Sequence, residues 1–179
     1  MPDIIALAHE AGFDHVGKLN TDALTARNEV RDMCAVDRCG AFGRSWSCPP
    51  GCGSIEHCQK RMSAYSAGLL LQTTGQMEDE FDLETIAETQ EKHKKQFYNL
   101  VRQLRILDPG CLPLTAGCCD LCFKCTYPSR PCRFPGKMLS SMEAYGLLVS
   151  EVCTQSGLGY YYGPKTITYT SCVLTNINI

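Results

Sequence analysis

The segment from Cys119 to Cys132 carries the residues whose type and spacing best fit metal chemistry. Cys119, Cys122 and Cys125 follow one another at three-residue steps, and Cys132 comes after six further residues. Thiolates at this spacing can wrap three corners of one iron–sulfur cubane, and a turn of the backbone can bring the fourth. We therefore expect these thiols to hold one [4Fe–4S] cluster.

Zinc is the alternative metal for the same thiols. A zinc ion is usually held by two C-x2–4-C pairs from separate turns, whereas all four cysteines here lie within 14 consecutive residues. Two-cluster bacterial ferredoxins contain the same C-x2-C-x2-C run. Residues 118–137 also carry four basic side chains and one acidic one, and positive charge stabilises a negatively charged cluster. The pattern favours iron–sulfur chemistry over zinc and over purely structural or redox thiols.

A second group of cysteines, Cys34, Cys39 and Cys48, surrounds a segment rich in glycine and aromatic residues. Glycines allow a tight backbone, and Phe42 and Trp46 could shield a cluster from water. The spacing alone matches no standard zinc or ferredoxin pattern. We nevertheless predict a second metal site here, which could hold a second cluster.

Two motifs together resemble those of a known family. The first, C-x4-C-G-x-[aromatic]-G-x-x-W-x-C-P-P, spans residues 34–50. The second, G-x-C-x-L-C-x-x-C…C-R-x-P, spans residues 117–135, and Met-Glu-Ala-Tyr-Gly follows at 142–146. Over about residues 4–175 the chain resembles the prokaryotic family of domain of unknown function 2284, whose members are described as predicted metal-binding proteins. The resemblance implies no particular reaction, but it implies metal binding through Cys34, Cys39, Cys48, Cys119, Cys122, Cys125 and Cys132.

The matched cysteines divide into a set of four and a set of three. If the four within 119–132 fully ligate one cluster, the three within 34–48 leave an open iron, a Lewis acid that can bind substrate. Cys52 or Cys58 could close that cluster instead. Cys119 gives the regular spacing to Cys122, so we expect Cys118 to be a small buried residue or a reserve thiol. The family pattern suggests a residue such as proline at this position. We expect the remaining upstream thiol, at residue 111, to serve packing.

The overall composition narrows the class of protein. The chain has 179 residues and a net charge of −2, without the basic surplus typical of nucleic-acid-binding proteins. The N-terminus lacks the basic region of a secretory signal, and no apolar run reaches the length of a membrane span. The 13 cysteines are odd in number and cannot all pair. We therefore expect a cytoplasmic protein with reduced thiols and no nucleic-acid or membrane partner.

The segments without cysteine predict an α+β fold, with a small central β-sheet and flanking helices that position two cysteine-rich loops. We expect a single domain over 1–179, with the loops at about 31–58 and 111–137. Glycine, proline and cysteine should leave residues 31–53 with little regular structure. The expected elements are helices at 3–11, 55–65, 82–107 and 140–155, strands at 15–19 and 68–73, and a β-hairpin at 159–175.

Few other residues suggest chemistry. His93 lies on the charged helix and should be solvated, while His57 should be a surface residue, with metal ligation as the alternative. Tyr160–Tyr162 should alternate between the faces of a strand. The chain lacks a phosphate loop, a nucleophile elbow and an H-E-x-x-H helix. The sequence predicts an iron–sulfur protein for electron transfer. The alternatives are a zinc-binding interaction module and an enzyme with an open iron. The sequence does not identify the redox partner protein or small-molecule ligand, nor the oligomeric state.

Overall fold

A five-stranded β-sheet forms the centre of this computed structural model, which describes residues 3–177 and 179. The strands are β1 (His15–Lys18), β2 (Ala67–Gln76), β3 (Leu112–Thr115), β4 (Ser140–Ser141) and β5 (Thr166–Thr175). The helices are α1 (Ile4–Glu10), α2 (Asn28–Ala35), α3 (Ile55–Met62), α4 (Leu83–Leu107) and α5 (Val149–Gln155), with short 3-10 helices at Thr21–Ala23 and Glu143–Tyr145. The order β1-β2-β5-β3-β4 is antiparallel except for the parallel pair β3–β4, which confirms the predicted α+β class. None of these described helices is both long enough and apolar enough to cross a membrane.

The paired strands β2 and β5 form the middle of the sheet because their side chains alternate between two apolar layers. The strands pair along ten residues each. On one face, Leu69 and Leu71 pack with residues of α1 and α4, and on the other, Leu70 and Leu174 pack with residues of α3 and α5. Each of these leucines is fully buried, which stabilises the fold by about 1.5–3 kcal/mol per side chain. The sheet is therefore covered by helices on both faces.

The long helix α4 buries His93 against the sheet. The side chain of His93 is 1% exposed, so the expectation that it is solvated is wrong. Its Nδ1 lies 2.9 Å from the Thr73 hydroxyl and its Nε2 lies 2.7 Å from the Ser171 hydroxyl. Because Thr73 donates its own proton to Gln96, it accepts from Nδ1–H, and Ser171 donates to Nε2. Charged neighbours surround His93 in the sequence, but four-residue steps place it on the buried helix face with Phe97.

Burial makes the stability of the fold depend on pH through His93. It lowers the pKa of His93 from 6.5 to about 4. The unfolded chain therefore binds a proton at His93 below about pH 6.5, where the folded protein does not. The stabilisation is complete above that pH and is lost as the pH falls toward 4. Between about pH 7 and about pH 5 we expect the free energy of unfolding to fall by about 2 kcal/mol at this site.

Urea unfolding at both pH values checks this expectation. His93→Gln is the matched control, because an amide retains hydrogen-bonding capacity without titrating. The difference in stability between the protein and the variant should shrink as the pH falls. A difference that stays constant would show that His93 does not titrate in this way.

The C-terminal segment contains one strand rather than the expected hairpin. Among the described residues after α5, only Thr166–Thr175 forms a strand, and its second neighbour in the sheet is β3. Tyr160 and Tyr161 are exposed. Tyr162 stacks on His15 at 4.1 Å, and its hydroxyl donates to the Gln72 side chain at 2.6 Å. The tyrosines therefore do not alternate along a strand, because side-chain contacts hold this segment in an irregular conformation.

Two further element predictions are wrong. Residues 31–35, expected in a loop, form the last turns of α2. The capping pattern at 140–143 does not open a helix to 155, because α5 begins only at Val149. Ser141 instead accepts from the N–H of Ala144 at 3.0 Å, and Ala144 lies in the short 3-10 helix. Gly146, with a φ of +79°, then ends that helix in a left-handed conformation that favours glycine.

The two cysteine-rich loops leave the scaffold at 36–54 and 116–139, where the chain forms no helix or strand. The first loop connects α2 to α3, and the second connects β3 to its parallel neighbour β4. The Ser171 hydroxyl, which binds His93, also accepts from the N–H of Ala116 at 3.0 Å. The buried histidine network thus fixes the beginning of the second loop to the sheet.

Candidate metal centres

The two loops pack against each other through Trp46 and Ser47 of the first loop. The indole N–H of Trp46 donates to the carbonyl of Arg130 at 3.0 Å, and its ring meets Tyr127 edge to face at 4.9 Å. Ser47 is fully buried, and its hydroxyl accepts from the N–H of Cys119 at 3.3 Å. Cysteines that lie far apart in the sequence therefore come close together between the loops.

One cavity, the second-loop cavity, is lined by all the cysteines predicted to hold a cluster. They are Cys119, Cys122, Cys125 and Cys132. Trp46, Phe134 and Met138 are among the apolar side chains around them, and the free space is about 20 Å³. All four are free thiols of intermediate exposure. The surrounding residues 116–139 form no helix or strand, so the cavity could widen around a metal group without breaking the hydrogen bonds of a helix or a sheet.

Positive charge and backbone donors face these thiols. Arg133 lines the second-loop cavity, and its guanidinium donates to a backbone carbonyl of the same loop at 2.8 Å. Burial opposes ionisation of Cys125, but backbone N–H groups of Tyr127 and Trp46 donate to its sulfur and lower its pKa overall. Burial raises the pKa of Cys119. Several thiolates in one cavity repel each other, so they require the positive charge that a bound metal supplies.

Another cavity, the first-loop cavity, contains the three predicted first-loop cysteines together with Cys118 of the second loop. Cys34, Cys39, Cys48 and Cys118 all line it, and its free volume is about 180 Å³. The pKa of Cys48 is raised to about 11, mainly by burial and further by the charges of the other three thiols, and the hydrogen bond with Ser47 partly offsets these effects. Cys118 is half-buried and faces this cavity, whereas we expected a buried packing residue or a reserve thiol.

Glu143 faces the same cavity from the 3-10 helix that follows β4. The residue is exposed to solvent, yet protein surrounds its carboxylate closely enough that burial raises its pKa. Burial raises the pKa of Cys34 as well, and the charge of Glu143 adds to that increase. Sequence reasoning missed this carboxylate, although it belongs to the Met-Glu-Ala-Tyr-Gly motif at 142–146.

Cys52 and Cys58, which could have closed a cluster, both contact Arg31. The Arg31 Nη2 atom lies 3.1 Å from the Cys58 sulfur and 3.5 Å from the Cys52 sulfur. The same guanidinium donates to the carbonyls of Gly53 and Ala144 at 2.7 and 3.1 Å. A hydrogen bond from Cys52, together with the charge of Arg31, lowers the pKa of Cys58 despite its burial. These two thiols form a separate pair that lines neither thiol cavity.

The remaining candidate residues lie away from both cavities. Cys111, Cys153 and Cys172 are buried in the apolar layers of the core, where they serve packing. His57 is exposed on α3. Neither thiol cavity has a histidine in its lining, so the donors present at both are sulfur, with oxygen from Glu143 at one.

A larger cavity, the open cavity, adjoins the second-loop cavity. It has a free volume of about 570 Å³, within the range of roughly 300–1,000 Å³ typical of small-molecule sites. The two cavities share Trp46, Cys132 and Met138 in their linings. Arg61 also lines the open cavity, where its guanidinium donates to the hydroxyl of Tyr145 and lies 5.7 Å from the centre of that ring. Apolar walls with a cation suit a small organic anion.

The donors at both thiol cavities fit a metal group bound through sulfur. Within residues 3–177 and 179, no three histidine, cysteine or carboxylate side chains converge on a position for a single metal ion. Four cysteines line each of the two cavities. Soft thiolate donors select iron–sulfur clusters, zinc or copper(I) over hard cations. Both linings therefore offer the type of donor that a thiolate-bound metal group requires.

Gly51 allows the first loop to pack closely on the second. A Cβ atom at this residue would lie 2.4 Å from the carbonyl oxygen of Ser45 and 3.0 Å from the ring of Tyr127. Gly51→Ala should therefore distort the first loop at Ser45 and push it away from Tyr127 of the second loop, and such overpacking costs about 1–3 kcal/mol. We expect a lower melting temperature and a lower metal content although no thiol is removed. Gly136→Ala is the matched control, because its Cβ would meet nothing within 4 Å, and equal metal content in both variants would contradict this role.

Comparison with known proteins identifies the family to which this chain belongs. No curated protein and no solved structure matches the chain. The family described as predicted metal-binding protein (DUF2284) matches residues 17–175, a range that includes both loops and nearly the whole chain. The resemblance found from the two cysteine motifs is thereby confirmed. This cysteine-rich chain belongs to the DUF2284 family of predicted metal-binding proteins.

Proposed function

We propose that this protein is an iron–sulfur protein that transfers electrons, with a [4Fe–4S] cluster bound by Cys119, Cys122, Cys125 and Cys132. The observation that carries the proposal is that these four thiols line one cavity together, and the first three of them have the C-x2-C-x2-C spacing of ferredoxins. When bound, a cluster with four thiolate ligands passes electrons and presents no open iron to substrate. Cys34, Cys39 and Cys48 are proposed to hold a second metal group in the first-loop cavity.

The chain's own side chains would tune and protect such a group. Arg133 brings positive charge to the second-loop cavity, and positive charge raises the potential of a negatively charged cluster. Trp46 and Phe134 reduce the access of water to the cavity. An ion pair between Lys94 of α4 and Asp120 ties the loop to the scaffold. These features support a site held in one geometry, as electron transfer requires.

A zinc-binding interaction module is the alternative function for the same thiols. Four sulfur donors fit zinc as well as a cluster. Structural zinc sites, however, usually draw their ligands from two separate turns, while the second-loop thiols come from one continuous segment with Arg133 beside them. Both features favour the cluster.

Anaerobic purification followed by spectroscopy tests the proposed function. We expect a brown protein whose broad visible absorption bleaches on reduction with dithionite and returns on reoxidation. The reduced protein should give the EPR spectrum of a reduced iron–sulfur cluster. A colourless protein without such a spectrum would refute the proposal.

The open cavity favours a second candidate function, an oxidoreductase that acts on a small organic anion. Arg61 lies in its lining beside the apolar Trp46 and Met138, and the cavity shares Cys132 with the proposed cluster site. A bound molecule would therefore contact a residue that holds the redox group. Anthraquinone-2-sulfonate, a planar anion that accepts electrons, is a suitable probe for this site.

Calorimetric titration of Arg61→Met with this probe tests the second candidate. A hydrogen bond to a charged group contributes about 1.5–3 kcal/mol, so the variant should bind about tenfold more weakly or worse. Lys60→Met is the matched control, because it removes an exposed cation of the same helix outside the cavity lining. Equal affinity of both variants would exclude the open cavity as the binding site.

The free thiols also support an inference about the cellular location of the protein. All thirteen cysteines are free thiols, and reducing compartments keep thiols in this form. We infer a cytoplasmic location on that basis. We also infer one domain over 1–179, since the apolar layers share one sheet and the loops contact each other.

A further inference from the structure

Cys118 and Cys119 are neighbours in the sequence, but they face different cavities. Cys119 lines the second-loop cavity, and Cys118 lines the first-loop cavity with Cys34, Cys39 and Cys48. We propose that Cys118 is the fourth ligand of the first-loop metal group, so that the protein has two complete four-thiolate sites joined by one peptide bond. The proposal rests on metal binding at the first loop as proposed above, and it extends that function by closing the open position.

The lining of the first-loop cavity supports this assignment. Cys48 lines it together with Cys34, Cys39 and Cys118. The Cys34 thiol comes from the end of α2, while Cys39 and Cys48 come from the loop that follows. Cys118 therefore comes from the other loop and is the fourth cysteine in the lining of the cavity.

Ser47 fixes the relative position of the two loops at this point. Its buried hydroxyl lies 3.6 Å from the Cys48 sulfur and accepts from the N–H of Cys119 at 3.3 Å. Ser45 adds a hydroxyl contact to Ser47 at 2.9 Å. Ser47 thus contacts Cys48 of one site and Cys119 of the other. Cys118 directly precedes Cys119, so these contacts hold it at the boundary of the two cavities.

The other candidates for the fourth ligand are less well placed. Cys52 and Cys58 contact Arg31 and line neither thiol cavity. Glu143 does line the first-loop cavity, but its oxygen is a harder donor than the three thiolates beside it, and soft metal groups prefer sulfur. Cys118 is thus the sulfur donor that matches the rest of the set.

Metal and sulfide analysis of single variants tests the proposal. The wild-type protein, purified anaerobically without added thiols, should contain about eight iron atoms and about eight sulfides, as two [4Fe–4S] clusters require. In Cys118→Ser the iron content should fall by up to half, and the EPR spectrum of the first-loop group should be lost or changed. Cys111→Ser, which alters a packing thiol, and Cys52→Ser should both retain the wild-type content, and so should Glu143→Gln.

The outcomes separate this proposal from the proposed function. Wild-type protein with only about four iron atoms, or a Cys118→Ser protein with unchanged iron and EPR spectrum, overturns the role of Cys118 and leaves the second-loop cluster intact. If Glu143→Gln or Cys52→Ser loses metal and Cys118→Ser does not, the fourth ligand is Glu143 or Cys52, and the proposed role of Cys118 is overturned. If the metal is zinc, the electron-transfer function fails, but a fall from about two zinc ions to about one in Cys118→Ser still supports ligation. Should Cys118→Ser fail to fold, the wild-type iron count alone decides between one site and two.

Discussion

Replacing Cys125 by alanine should remove the metal group of the second loop and about half of the metal in the protein. Cys125 lies in the middle of the Cys119–Cys132 run and lines the second-loop cavity with the other three thiols. Its thiolate also has backbone N–H donors aimed at it, which lower its pKa. A group that loses one of four thiolates loses both a bond and a counter-charge. Metal analysis by mass spectrometry and the visible spectrum measure the loss.

Cys111→Ala is the matched control for this variant. Cys111 is a buried thiol of the same region that packs in the apolar core, so its replacement should cost about 0.5–3 kcal/mol of stability. It should not change the metal content. If Cys125→Ala retained the metal content of the wild type, or Cys111→Ala lost as much as Cys125→Ala, the assignment of the second-loop ligands would be wrong.

Removal of the metal should release both cysteine-rich loops while the sheet stays folded. A ligand held at about 1,000 times its Kd stabilises a protein by about 4 kcal/mol, and segments 36–54 and 116–139 have no helix or strand of their own. We expect trypsin to cut the metal-free protein at Arg44 and Lys124, which the loops expose. Cleavage sites inside α4, such as Arg102, should stay protected by the helix and its packing against the sheet.

Limited proteolysis of the metal-bound and metal-free protein measures this difference. The metal-bound form should resist cleavage in both loops, and addition of metal and sulfide to the metal-free form should restore resistance. Loops that resist trypsin equally in both forms would show that the loop packing, through Trp46 and Ser47, holds them without any metal.

The parts of the fold that the sequence predicted well are long and regular. Helix α4 has an apolar residue at three- and four-residue steps over many turns, and the β2 strand has an uninterrupted apolar core at Leu69–Leu71. Such periodicity is a local property, so one sequence is enough to find it. The class of the fold followed from these elements.

The predictions that failed depended on contacts between distant residues. His93 sits among charged residues, and only Thr73 and Ser171, on two different strands, make it a buried residue. The pattern at 140–143 has the residue types of a capping signal, but only a short 3-10 helix follows it, because Gly146 ends that helix. A Cβ at Gly146 would also collide with the backbone of Arg27, a contact that the sequence does not reveal.

The candidate site shows the same division between local and distant information. The second-loop cysteines form a set within one segment, so their spacing alone pointed to one cavity. The place of Cys118 in the lining of the first-loop cavity depends on how two separate loops pack through Ser47, and no spacing rule predicts it. The contact of Arg31 with Cys52 and Cys58 could not be predicted either, because it joins residues that lie far apart in the sequence.

Iron, acid-labile sulfide and zinc analysis of the anaerobically purified protein tests the central claim most directly. An iron–sulfur protein should contain iron and sulfide in about equal amounts, at least about four of each per chain, and little zinc. Stoichiometric zinc with no sulfide would contradict the claim and would assign the same thiols to a zinc-binding module.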